Sequence, residues 1–103
     1  MLLERFLNYV KIDTQSDENS TETPSTSKQF NLLKLLVKEL TEMGVQNELT
    51  DTGRLYAYVP GDEKYEAIGL CAHVDTAPDF SGSGVNPQIF ETLGIDPPKG
   101  VLL

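Results

Sequence analysis

The sequence contains no tryptophan, one cysteine and one histidine, and it carries half as many basic residues as acidic ones. Each shortage excludes something. A lone cysteine, Cys71, cannot close a disulfide within the chain, which points to a reducing, cytoplasmic setting. Its apolar neighbours make it read as a small buried hydrophobe. Eight Lys and Arg against 16 Asp and Glu leave a net charge of −8. Neutralising nucleic-acid phosphates or an anionic lipid surface needs clustered cations, so neither nucleic acid nor membrane is an expected partner. No apolar stretch approaches the roughly 20 residues that span a bilayer. The opening residues, Met1-Leu2-Leu3-Glu4-Arg5-Phe6, lack the basic region and apolar core of a signal peptide. In a cytoplasmic chain the sequon Asn19-Ser20-Thr21 has no consequence. At 103 residues the chain is long enough for one small domain.

What is present is an ordered series of helix and strand signals. Leu3, Phe6, Leu7 and Val10 fall at i, i+3, i+4 and i+7 within residues 2–10, which predicts a short amphipathic helix running to about Lys11 or Ile12. Residues 13–27, DTQSDENSTETPSTS, are almost wholly polar and read as a loop. Composition favours a solvated connector, with part of an active-site rim as the alternative. Thr26 and Gln29 have the spacing of a capping box. The stripe Phe30, Leu33, Leu36 or Val37, Leu40 and Met43 predicts a second helix, widened by Leu32 and Leu35 and stopped by Gly44. Residues 45–49 and 54–59 read as strands around an Asp51-Thr52-Gly53 turn. The continuous apolar run 67–72 reads as a third strand, covered on both faces. The expected class is α/β, two helices plus about three strands of a mixed central sheet. Residues 81–84, SGSG, read as a flexible turn and lack the spacing of a phosphate loop, so no cofactor-binding motif is assigned.

The one histidine, His73, follows the apolar run, with Asp75 two positions on. On this reading His73 ends a central strand, and ligands of open α/β sheets bind beyond such ends. In extended backbone, residues i and i+2 project to the same side. The Asp75 carboxylate can then accept a hydrogen bond from one imidazole nitrogen and aim the other outward, as in metal-bound histidines. By spacing alone an H-x-D is weak evidence, because such short patterns recur readily. A Ser-His-Asp hydrolase would also place a carboxylate on the imidazole, but nothing marks a serine as nucleophile.

The stretch HVDTAPD at 73–79 resembles the first metal-site motif of the M20 family of di-zinc metallopeptidases, an H-x-D followed by proline. LLERFLNYVKIDTQS at 2–16, PSTSKQFNLLKLLVKELTEMG at 24–44 and HVDTAPDFSGSGVNPQI at 73–89 are similar to the tripeptide-aminopeptidase branch of that family, in the same order and with similar gaps. The resemblance implies that residues 1–89 are the N-terminal segment of a zinc-peptidase catalytic domain. It implies a metal-ligand role for His73 and a catalytic, orienting role for Asp75. It also implies zinc as cofactor, two ions in the full-length family, small peptides as substrates, and a homodimer for the full-length protein. The family reaction is hydrolysis by a metal-bridging water with a glutamate as general base. The DTQS and VNPQI stretches favour this branch over a dipeptidase, carboxypeptidase or deacylase of the same family. Cobalt or manganese would suit the same ligand types.

The chain departs from the family pattern downstream. The family requires a bridging aspartate, a general-base glutamate, further acidic ligands and a second histidine, and this sequence has no second histidine. Asp96 lacks the surroundings of the bridging ligand and is not assigned. Residues 90–103 do not resemble the family continuation and read as a divergent tail, with truncation or a frameshift as its origin. The expectations are therefore a partial metal site, no peptidase activity for the chain alone, and apolar strand faces left partly bare. The alternative class is a non-catalytic fragment or binding module.

Overall fold

The computed structural model describes residues 2–89. The tail 90–103 and Asp96 lie outside the described residues. The element order is α1 (Leu2–Val10), α2 (Gln29–Glu42), β1 (Gln46–Leu49) and β2 (Leu55–Tyr58). It is a small mixed α/β unit, as the sequence patterning predicts for an incomplete domain.

α2 ends where Gly44 stands. Gly44 has φ +74°, a backbone conformation that a Cβ disfavours. Its N–H donates to Thr41 O and the Val45 N–H to Leu40 O. These paired bonds are a Schellman motif, which satisfies carbonyls the helix end would otherwise leave open. The chain leaves directly into β1. β1 and β2 pair antiparallel, with Gln46 opposite Tyr58, Asn47 opposite Ala57, Glu48 opposite Tyr56 and Leu49 opposite Leu55. Thr50 holds the connection. Its N–H donates to Arg54 O at 2.9 Å, its carbonyl accepts from Gly53 N–H at 3.1 Å, and its hydroxyl accepts from Arg54 N–H at 3.0 Å.

α2 packs across the hairpin, mainly on β1. Leu32 and Leu33 are the buried apolar residues among those described. Leu33 is only 2% exposed, under the turn glycine Gly53, where an added Cβ would lie 3.5 Å from Leu33 Cδ1. α1 is joined to α2 by Tyr9, whose hydroxyl donates to Glu39 Oε2, and by an Arg5 Nη1 contact with Met43 Sδ at 3.8 Å. Burial, together with the Glu39 carboxylate, raises the Tyr9 pKa above its usual value. The apolar stripe of α1 is mostly uncovered, with Leu3 and Phe6 exposed.

Three readings of the sequence are corrected. Residues 67–72 form no strand; Ile68 is 89% and Leu70 95% exposed. Consequently His73 does not end a central strand. The physical reason is that a strand needs hydrogen-bonding neighbours and covering layers, and none of the described elements supplies them. Cys71 is exposed rather than buried, for the same reason. The capping box is not made either. Lys28 occupies the N-cap with no side-chain cap bond; α2 starts at Gln29, which leaves Thr26 two residues ahead of the cap, where its hydroxyl donates to Gln15 O at 2.8 Å.

Candidate half-site at His73 and Asp75

The polar loop after α1 holds the histidine segment in place. Thr76 N–H donates to Thr14 O at 3.1 Å, and Ser16 N–H donates to Thr76 O at 2.9 Å. These two bonds form an isolated parallel bridge between Gln15 and Thr76. Ser16 Oγ adds a bond to Thr76 O at 2.9 Å, and Gln15 Nε2 donates to Pro78 O at 2.8 Å. A loop that composition favours as a solvated connector is therefore a strap across the H-x-D segment. Its Thr14 is 3% exposed.

The strap is itself anchored. Asp13 Oδ1 accepts from Gln15 N–H, and Asp13 Oδ2 pairs with Lys28 Nζ, each at 3.0 Å. Gly82 lies against this carboxylate: an added Cβ there would sit 2.5 Å from Asp13 Oδ1. The stretch that reads as a flexible turn thus brings its backbone close to the Asp13 carboxylate, which a side chain at 82 would displace from its bond to Gln15 N–H.

The Gln15 amide bond and the Lys28 ammonium hold the Asp13 carboxyl below its ordinary pKa. A depressed carboxylate contributes above its unfolded value, and the contribution is lost as pH falls through the lower folded value. The Gln15 amide resonance is accordingly expected to stay constant from neutral pH down to the ordinary aspartate range and to move only below it. A midpoint at or above the ordinary aspartate value in an NMR pH titration would contradict this.

His73 Nδ1 and Asp75 Oδ1 are 3.0 Å apart. A carboxylate oxygen only accepts, so this contact is a hydrogen bond when Nδ1 carries the proton, and Nε2 is then the nitrogen left to face outward. The His73 side chain is 84% exposed and that of Asp75 41%. Both residues line an open cleft of about 710 Å³, shared with Gln29 and Leu33 of α2, Leu55 of β2 and Leu70. The sequence-predicted pair is thus brought together, facing a concave surface.

The pair offers one imidazole nitrogen that could act as a ligand, with a carboxylate beside it. Protein-bound zinc takes three or four protein ligands. Among the described residues no group of three or more His, Cys, Asp or Glu could hold a metal ion. These residues do not fit a complete zinc site, and the chemistry available to them alone is the placement of one imidazole.

Sequence reasoning missed the strap residues Thr14, Gln15 and Ser16 and their support from Thr26 and Gly82. The signal available was a concentration of short polar side chains, which carries no periodicity and does not announce a partner 60 residues away. Among the described residues no helix is long and apolar enough to cross a membrane.

No protein-family model matches the chain. Individual proteins do. The chain is 57% identical to peptidase T of Shewanella sediminis over 90 residues, 85% of this chain and 22% of that protein. It is 48% identical to peptidase T of Macrococcus caseolyticus over 93 residues, 88% of this chain and 23% of that protein. With peptidase T of Staphylococcus epidermidis it shares 46% over 100 residues, 95% of this chain and 24% of that protein. The chain spans under a quarter of the length of these relatives. Over that span the chain belongs to the peptidase T family, as its N-terminal portion.

Proposed function

We propose that this chain is the N-terminal portion of an M20-type, zinc-dependent aminopeptidase that releases the first residue of tripeptides in the cytoplasm. His73 supplies one metal-ligand nitrogen through Nε2. Asp75 orients that imidazole and is the catalytic carboxylate of the pair. The other ligands and the general base belong to the three quarters of the relatives' length that this chain does not span. Zinc, when held by the full set, supplies an activated water and a Lewis acid. The chain alone is inert toward peptides, because a single histidine with one carboxylate cannot assemble the centre. The full-length protein takes small peptides as substrates and forms a homodimer. The observation that carries this reading is the identity of 46–57% to peptidase T, and the His73–Asp75 contact at 3.0 Å supports the assigned roles.

The test is a chimera in which residues 1–89 replace the matching segment of Shewanella sediminis peptidase T. With zinc present it should release the N-terminal residue of a tripeptide, and His73→Ala should reduce kcat/KM by at least about 100-fold, as loss of a metal ligand does. A folded chimera that is inactive while the parent is active would overturn the reading. So would hydrolysis of the tripeptide by the 103-residue chain alone with added zinc.

A further inference from the structure

We propose that Gln15 is a positioning residue for the His73–Asp75 pair, seating it through the main chain at Thr76 and Pro78. The proposal rests on reading His73 and Asp75 as the functional pair. It begins from what the pair cannot do for itself. The imidazole stands largely in solvent, where water competes for the hydrogen bond and screens the charge. One such contact does not fix the orientation of a flexible segment, and residues 67–72 before it have no regular structure.

Something else must hold the backbone next to Asp75. Among the described residues, the hydrogen bonds that join residues 67–89 to the rest of the chain all come from Thr14, Gln15 and Ser16. Thr14 and Ser16 grip Thr76, the residue next to Asp75, through both its N–H and its carbonyl. Gln15 lies between them and reaches further, with its side-chain amide on Pro78 O at 2.8 Å. The two grips hold the main chain at Thr76 and again at Pro78, and so fix the direction in which Asp75 leaves the backbone.

Gln15 is also the best anchored residue of the strap. Its N–H donates to Asp13 and its carbonyl accepts from Thr26 Oγ1. The same Thr26 oxygen accepts from Gln29 Nε2 at 3.0 Å. Gln29 opens α2 and is only 6% exposed. A continuous hydrogen-bonded line therefore runs from the packed start of α2, through Gln29, Thr26 and Gln15, to Pro78, three residues after Asp75. It connects the solvent-exposed pair to the packed part of the molecule.

The test substitutes Gln15→Glu, which keeps the side-chain shape and removes the Nε2 donor. In the 15N-labelled 103-residue chain, two signals are read: amide exchange at Thr76, and the ring-nitrogen shifts of His73 that report which nitrogen is protonated. The expected result is Thr76 exchange about tenfold faster, because its bond to Thr14 O opens more often once the neighbouring tie to Pro78 O, worth one hydrogen bond, is gone. The His73 ring is expected to shift from the Nδ1–H form toward the Nε2–H form, with the resonances of α2 and the hairpin unchanged. A folded variant with His73 ring shifts like those of the parent would overturn the proposal, whether or not Thr76 exchange changes, since a merely structural tie would leave the tautomer alone. If Gln15→Glu does not fold, Thr26→Val removes the donor to Gln15 O instead, and the same two outcomes decide. The readout uses neither metal nor substrate, so an inactive chimera would leave this result standing on its own.

Discussion

Leu33→Ala is expected to abolish cooperative unfolding of this chain. Removing a buried leucine side chain costs about 2–5 kcal/mol, the transfer free energy plus the cavity left behind. Small domains have only about 5–15 kcal/mol in total, and this one has a very small core. Leu33 at 2% and Leu32 at 8% exposure are its buried apolar side chains among the described residues. Leu33 is also where α2 meets the hairpin turn beneath Gly53, so its loss uncouples helix from sheet. Urea titration followed by circular dichroism checks this: the parent should show a sigmoidal transition and Leu33→Ala a sloping baseline. Leu70→Ser is the control, because a side chain 95% exposed has almost no burial to lose. A cooperative transition in Leu33→Ala with an unchanged midpoint would contradict the account of the core.

The elements that could be read from the sequence are those stabilised locally. The α1 stripe, the α2 stripe with Gly44 behind it, and two alternating segments about a Thr-Gly turn all specify their conformation through nearest neighbours. Residues 67–72 show the limit. Their apolar continuity describes a strand that is buried, but burial comes from other parts of a chain, and the described residues offer no partner. The pair His73 and Asp75 was legible because i and i+2 share a side in extended backbone, which is a local relation. The strap was not. Thr26 has good capping chemistry, yet the helix starts two residues too late for it to act as the cap, and its hydroxyl donates to the Gln15 carbonyl that the loop brings there. Gly82 likewise reads as punctuation until the Asp13 carboxylate is seen against it.

The second large effect concerns metal. With only one histidine in the sequence, His73→Ala is expected to remove all imidazole-dependent zinc binding by the chain. Asp75→Asn should weaken it by about tenfold, since the carboxylate fixes the ring tautomer and raises ligand basicity. Asp75→Asn keeps the shape and an acceptor oxygen but loses the charge, so a difference between the two substitutions separates ligation from orientation.

Zinc titration of the 103-residue chain, read calorimetrically and through the His73 ring nitrogens, tests the central claim most directly. The account predicts weak, shallow binding that shifts Nε2 and vanishes in His73→Ala, the behaviour of one ligand and its orienting carboxylate. Tight, stoichiometric binding would contradict it, for the chain would then complete a metal site by itself.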